Sequence, residues 1–520
     1  MKKHAILHPL LFAVLPILFL YSHNITELYL AQLLAPLLVA AFSSLLLWSL
    51  LSLALRDKLR AALLSSLFWL WFLSFGHLHR LLVSGHSADL ASGGTTAFVA
   101  VYCTILLVGV GFFITARRGL PTLSSMLNIA AGALVAWHVL TIGGYEFKRM
   151  LAYRSVRQAP GIKLTQRTRA GALPNIYYII LDEYGRADVL RDIYHYDNRE
   201  FLRYLARKGF QVAPQGQASY CQTALSLAAS LNMEYLDDVA ARVGLDSNDR
   251  APLGTMIKHN RLFDFLRRRG YRIVAFSSEY DLADIRNADV YMDAGSRLTE
   301  FQRGLLDTTP LPLVLGRGRS RNEQHHAEAV LYTFEHLADT TKLEPPIFVF
   351  AHIWSPHPPF VFDRTGRVVA PEQGFRRRDR ARLQRLGGQL RQYVEQVEFV
   401  NRKIEIAVDQ LLARARWPAV IIIQSDHGPG SRTDWYSAGR TDARERLGAL
   451  IACYLPGADA RVDDDLSTVN VFRVVLNCYF GADLPLLPND SYFSTTAQPY
   501  RFVRVTQRVV ASATTHSARP

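Results

Sequence analysis

The chain has 520 residues, a net charge of +14, 49% apolar and 20% charged side chains, averages that suit an ordinary soluble protein. They blend two unlike parts, because between His4 and Tyr145 the only charged side chains are Glu27, Arg56, Asp57, Lys58, Arg60, Arg80, Asp89, Arg117 and Arg118. This excludes a single soluble globule and a disordered chain, and 4 Cys in this length exclude a disulfide scaffold.

Five apolar runs come first, at residues 6–21, 28–55, 61–83, 96–116 and 123–143. Each is about long enough to cross a ~30 Å hydrocarbon core. Helices are the expected form, since backbone groups there must bond to one another. Taken alone, the first run behind Lys2 and Lys3 also fits a signal peptide. Four more runs with short connections favour a membrane domain over residues 1–145. Positive charges orient it. Lys2 and Lys3, then Arg56, Lys58 and Arg60, then Arg117 and Arg118 occupy alternate connections, whereas 22–27 and 84–94 hold no Lys or Arg. Five crossings from an inside N-terminus leave the chain outside after Gly143. The expected location is the cytoplasmic (inner) membrane, multi-pass, with the polar domain on the periplasmic side. Arg80, near the outer end of the third run, can snorkel to the headgroups. Residues 146–172 read either as an interfacial helix or as a basic linker.

Residues 173–505 read as an α/β domain. Compact apolar runs stand at 175–181 (NIYYIIL), 272–276 (RIVAF), 346–351 (PIFVFA), 419–424 (AVIIIQ) and 449–455 (ALIACYL). Near-continuous apolar runs suit strands covered on both faces. Helical patterns lie between them, at Phe201, Leu202 and Leu205, at Leu262, Phe263 and Leu266, and over 393–415 and 469–479. The alternation predicts a doubly wound, mostly parallel sheet. The tail, 506–520, reads as flexible.

Polar residues follow the strands. Asp182 and Glu183 follow the first, His352 and His357 follow PIFVFA, and Asp426 and His427 follow AVIIIQ. In open α/β sheets the ligand crevice lies beyond the carboxyl ends of the strands. One such pair is usually a solvated turn; three at equivalent ends point to a metal or phosphate site. Carboxylates with imidazole and no thiolate suit one divalent ion, Zn²⁺ or Mn²⁺. A nucleophile candidate is Thr223, in Ser219-Tyr220-Cys221-Gln222-Thr223-Ala224-Leu225-Ser226, which opens an apolar helical segment. A helix N-terminus favours an alkoxide and an incoming anion. The same position also suits a plain N-cap, and the residues alone do not separate the two.

In layout and motif order the chain resembles the alkaline phosphatase–sulfatase superfamily, and within it the membrane-anchored phosphoethanolamine transferases and lipoteichoic acid synthases. Those enzymes have five N-terminal transmembrane helices and an extracytoplasmic α/β catalytic domain. Asp182-Glu183-Tyr184-Gly185-Arg186-Ala187-Asp188 is similar to their Glu-x-x-Arg-Ala-Asp motif. Cys221-Gln222-Thr223 is similar to Cys-Gly-Thr, with Gln for Gly. His352 and His357 match a phosphate-binding pair, and Asp426-His427-Gly428 matches Asp-His-Gly. The resemblance implies one metal held by Glu183, Thr223, Asp426 and His427, with Asp182 as helper. It implies Thr223 as nucleophile and His357 as a catalytic partner, passing through a phosphothreonine. His352 is a weaker substrate contact or a packed strand-end residue, and Arg186 with Asp188 forms a structural pair.

Two departures bear on the substrate. No His lies between His427 and His516, where the family has a substrate-contacting one; Arg440, Arg444 and Arg446 are there instead. The several disulfides common in the transferases are largely absent, since beyond Cys103 in an apolar run only Cys221, Cys453 and Cys478 remain. The sulfatase motif Cys/Ser-x-Pro-x-Arg is also missing at Cys221. The implied function is therefore transfer of a phospho-substituted group from a membrane lipid donor to an envelope glycan or lipid acceptor. A phosphate or sulfate ester hydrolase and an inactive anionic-glycan-binding domain are the alternatives, and no nucleic-acid partner is expected. A reporter that works only outside the cytoplasm, fused after Gln158, is expected to be active; activity of a cytoplasmic reporter alone would reverse the orientation.

Overall fold

The computed structural model describes residues 5–82, 88–157, 173–295, 298–314, 319–369, 387–458 and 461–510. The chain divides into two compact units, Met1–Leu151 with Arg297–Gly318, and Ala152–Ser296 with Arg319–Pro520.

The first unit contains α1 (His8–His23), α2 (Ala31–Leu55), α3 (Lys58–Leu82), α4 (Ala88–Thr115) and α5 (Leu120–Arg157). Four of these are long and apolar enough to cross a membrane; α1, with 16 residues, is shorter. The α2–α3 turn is tight: Arg56 takes a left-handed conformation, and Asp57 Oδ1 accepts the first free amides of α3, those of Leu59 and Arg60. The outer faces of this unit are apolar. Leu38, Phe42 and Leu53 on α2, Leu107 and Phe112 on α4 and Trp137 and Leu140 on α5 are exposed. His8 is buried, with Nδ1 2.6 Å from Ser66 Oγ and Nε2 3.0 Å from Ser124 Oγ. Apolar flanks, with a polar group hydrogen-bonded inside the bundle, suit lipid as the solvent. α5 runs unbroken to Arg157, so the segment read as interfacial helix or linker continues the fifth apolar helix as far as that residue. The remaining linker, 158–172, lies outside the described residues.

Residues 297–318, expected in the polar domain, fall in this unit. They include α12 (Glu300–Leu306) and α13 (Leu311–Val314).

The second unit holds a seven-stranded sheet ordered β2-β7-β6-β1-β5-β3-β4. Its strands are β1 (Asn175–Leu181), β2 (Gln211–Val212), β3 (Arg272–Phe276), β4 (Val290–Met292), β5 (Ile347–Ile353), β6 (Ala419–Gln424) and β7 (Ile451–Tyr454). β6, β1, β5, β3 and β4 run parallel, and β7 is antiparallel to β6. Alternation along buried strands sends side chains to two covered faces. Tyr177, Ile179, Leu181, Val349, Ala351, Ile421 and Ile423 pack beneath α7 (Arg199–Arg207), α14 (Arg319–His336) and α15 (Gly387–Arg414). On the other face Tyr178 meets Phe472 of α17 (Val471–Phe480) at 4.8 Å, and Phe348 meets Phe263 of α11 (Arg261–Arg267) at 5.4 Å. Each such buried aromatic contributes roughly 1.5–3 kcal/mol.

Two ends differ from expectation. β5 extends to Ile353, so His352 lies inside the strand, because neighbouring β1 continues to pair up to Leu181. The tail begins as a short helix, α18 (Thr506–Val510), with Val509 buried. Burial of Val509 and the hydrogen bond from Arg186 Nη2 to its carbonyl hold it to the fold. Residues 511–520 lie outside the described residues.

Arg186 is the hub of that corner. It donates to both Asp188 oxygens at 2.6 and 3.0 Å, and to the carbonyls of Gln215, Gly216 and Val509. Arg186→Met strands these acceptors and should cost about 3 kcal/mol. The check is a lowered thermal midpoint of the full chain in detergent; an unchanged midpoint would contradict the role.

Candidate active site

Strand register assembles the site. Ile180 of β1 lies level with His352 of β5 and Gln424 of β6. Two residues further on, Asp182 and Asp426 therefore leave neighbouring strands at equal height and on the same side as His352. Ligand atoms of Asp182, His352 and Asp426 all fall within 4.8 Å of one another, and all three residues are buried. Asp182 Oδ2 is 3.3 Å from His352 Nε2. Asp182 Oδ1, His352 Nε2 and Asp426 Oδ2 have no hydrogen-bond partner.

Burial, and then the mutual repulsion of Asp182 and Asp426, pushes Asp426 up to about 8. Burial also raises Asp182, reinforced by Glu183. His352 is pulled down to about 4 by burial, which keeps it neutral. Its Nδ1 is 2.8 Å from Ser278 Oγ, a contact that orients the ring.

A second group surrounds Thr223. This residue opens α8 (Thr223–Asn232) and is half-buried. Its Oγ1 is 3.1 Å from His427 Nε2. His427 Nδ1 is 3.1 Å from the Gly428 carbonyl, which can only accept, so Nδ1 carries the proton and Nε2 is bare. That nitrogen also receives Arg446 Nη2 at 3.0 Å and stands 3.1 Å from Asp426 Oδ2. Burial and the adjacent Arg446 hold His427 far below the ordinary imidazole value.

Arg446, at the end of α16 (Ala443–Leu447), also donates to Glu183 Oε1 at 2.7 Å and to the carbonyls of Cys221 and Gly428 at 2.9 and 3.1 Å. Burial works against its charge, but Glu183 outweighs it and keeps the guanidinium protonated. Gly428 makes room for this arrangement: a Cβ there would lie 2.1 Å from the Glu445 carbonyl. Glu183 adopts a left-handed conformation, φ +61°, which disfavours any residue with a side chain. Asp426 Oδ1 holds its amide at 3.2 Å, and Tyr393 Oη donates to its carbonyl at 2.8 Å. His357 is half-buried, with Nε2 3.8 Å from Glu183 Oε1.

The expected residues thus meet, in a different grouping. Asp182 and His352, rather than Glu183, accompany Asp426; Glu183 turns to Arg446. Of the three arginines, only Arg446 reaches the site. Arg440 pairs with Asp434 at 2.5 Å, and Arg444 pairs with Asp192 at 2.8 Å. Cys221 is buried, and its Sγ accepts from the Ser494 amide at 3.3 Å. Gln222 stands where the related motif has Gly because its amide has work: it bonds Ser494 and Thr495 and accepts from Arg250 Nη2 at 3.1 Å. Ser278, Tyr393 and Arg250 carry no motif and were not legible as supports.

The sulfatase family model matches residues 174–451. No curated protein matches the chain. Among solved structures, the chain is similar to the periplasmic domain of EptC from Escherichia coli, in complex with Zn. The identity is 11% over 66% of this chain and 96% of that one, with a TM-score of 0.45. It is also similar to the integral membrane lipooligosaccharide phosphoethanolamine transferase A of Neisseria meningitidis. There the identity is 14% over 94% of this chain and 97% of that one, with a TM-score of 0.42.

The raised Asp426 value has a stability consequence. Without a cation the folded chain keeps a proton that an unfolded Asp releases above 3.8. That stabilisation is complete at lower pH and disappears as pH rises through the folded value. The metal-free chain should therefore melt at a lower temperature at about pH 9 than at about pH 6, and a divalent cation should reverse the difference. Equal midpoints with and without cation at the higher pH would rule this out.

Proposed function

The chain belongs to the sulfatase family, and on that premise we propose that it is a membrane-anchored, metal-dependent phospho-group transferase with Thr223 as its nucleophile. The carrying observation is the contrast between two residues. Thr223 Oγ1 lies at the open edge of the site, 3.1 Å from His427 Nε2, whereas Cys221 is sealed beneath it. Burial raises the Cys221 thiol, which favours the unreactive form. The motif resemblance supplies the substrate class, a phospho-substituted lipid headgroup.

Asp182, His352 and Asp426 fit a divalent cation, since each turns a bare, buried donor atom to the same spot. His427 Nε2 and Thr223 Oγ1 border that spot. When bound, the cation would lower the pKa of the hydroxyl and polarise the phosphoryl group. The chain supplies the rest. The Thr223 oxygen attacks phosphorus, the bond from phosphorus to the donor's leaving oxygen breaks, and a phosphothreonine forms. Amides in the first turn of α8 have no intrahelical partner, and with Arg446 they favour charge on the phosphoryl oxygens. His427, held far below its ordinary value, accepts the hydroxyl's hydrogen bond without retaining its proton. The Thr223 proton, passed on by His427, ends on the donor's leaving oxygen, with His357, half-exposed at the edge, placed to relay it. An acceptor hydroxyl then attacks the phosphothreonine: its oxygen bonds to phosphorus, the bond from phosphorus to Thr223 Oγ1 breaks, and the acceptor's proton passes to the Thr223 oxygen and restores the hydroxyl.

Thr223→Ala should abolish turnover while leaving folding and membrane insertion intact, because a lost first-turn hydroxyl costs only ~1 kcal/mol. Cys221→Ser should keep substantial activity, and trapped protein should carry the transferred group on the Thr223 peptide. An essential Cys221 converted to an aldehyde, with Thr223→Ala active, would overturn the mechanism. Free ester products without a modified acceptor would make the enzyme a hydrolase on the same intermediate.

A further inference from the structure

Residues 298–314 come from the middle of the polar sequence, between β4 and α14, yet they belong to the membrane unit. α12 starts with a complete capping box, Thr299 with Gln302, so it is a built helix. Phe301 is buried in the core of the helical bundle and meets Tyr21 of α1 edge-on at 5.9 Å. Leu305 packs against the same core. The Gly76 amide of α3 donates to the Thr308 carbonyl at 2.8 Å. The two backbones are so close that a Cβ on Gly76 would lie 2.0 Å from the Asp307 carbonyl oxygen.

These contacts set a depth. From Gly76 to the end of α3 at Leu82 is about 9 Å at 1.5 Å per residue. Leu78, Leu81 and Leu82, further out along α3, are exposed apolar side chains. Residues 307–308 therefore lie below a level at which α3 already presents bare leucine. Tyr21 and Gly76 both stand near helix ends that the loop charges place outside. Around these anchors Leu298, Leu313 and Val314 are also exposed, Val314 at 76%.

We propose that residues 298–314 are a membrane-docking element whose partner is the lipid surface. Leu298, Leu313 and Val314 enter the outer hydrocarbon boundary beside the end of α3. The anchor at Gly76 lies on the inner side of the exposed Leu78, Leu81 and Leu82 of α3, a depth that favours lipid over a protein partner. The inference rests on this packing and is independent of the transferase reading.

The test uses the full chain in liposomes of phosphatidylethanolamine and phosphatidylglycerol. A photoreactive benzophenone amino acid replaces Leu298 or Val314, with Leu81 as the lipid-facing comparator and Arg199, exposed on α7, as the aqueous one. The expected result is phospholipid adduct at 298 and 314 in a yield matching that at Leu81, with none at Arg199. Loss of lipid adduct at both positions, while Leu81 still reacts, overturns the proposal. So does an adduct to another protein, which would make this face a protein interface. The replaced side chains are exposed, and the Leu81 signal in the same preparation confirms insertion.

Discussion

Two carboxylates and an imidazole are buried against one another at the ends of neighbouring strands, and much of the local architecture answers that crowding. Asp182 and Asp426 leave adjacent parallel strands at one height, and His352 stands one pleat below. Each is buried too deeply for water to disperse its charge. Like charges in such a place repel, and burial penalises each of them. Arg446 offsets part of this from the opposite side, tying Glu183, His427 and two backbone carbonyls into one cationic clamp. A negative pocket and a fixed guanidinium on either side of Thr223 suit a reaction in which a cation and a phosphoryl group must meet one hydroxyl.

Backbone closeness makes the clamp possible. Only a glycine at position 428 lets the chain after Asp426 lie against Glu445 and Gly448, which brings Arg446 under the imidazole. The left-handed backbone at Glu183 points its amide at Asp426 and frees its side chain to turn toward Arg446. Such local strain persists where surrounding bonds over-determine it, here through Tyr393. The same logic separates Thr223 from Cys221. Being two residues apart at the mouth of a helix puts one at the edge and the other beneath it.

The membrane unit obeys the opposite solvent. Its polar side chains are turned inward, with His8 between Ser66 and Ser124 beside an apolar core, and its flanks are leucine and phenylalanine. Near the outer ends of the helices, Arg149 reaches the carbonyls of Ile25 and Leu28, and Glu146 accepts from Tyr21. Backbone acceptors in that loop are satisfied by the protein itself, as a low-dielectric setting demands. The excursion of residues 298–314 joins this unit through a glycine contact and one buried phenylalanine, features of packing with little compositional trace.

Periodicity and composition determined the elements. The apolar runs marked the helices of the membrane unit, and β-branched runs marked β1, β3 and β6 to the residue, because burial on both faces demands continuous apolar sequence. Motif order placed Asp182, Glu183, Thr223, Asp426 and His427 at one rim, since parallel strands send their carboxyl ends to one side. Tertiary structure decided the grouping within that rim. Whether His352 ends a strand or lies within it depends on how far β1 pairs with β5. Whether Asp182 or Glu183 turns to Asp426 depends on one backbone dihedral. Arg440 precedes the five-residue helix Ala443–Leu447, and which of Arg444 and Arg446 enters the site depends on which face of that helix meets Gly428. Register, handedness and backbone approach arise from contacts between residues hundreds of positions apart, and no local pattern encodes them.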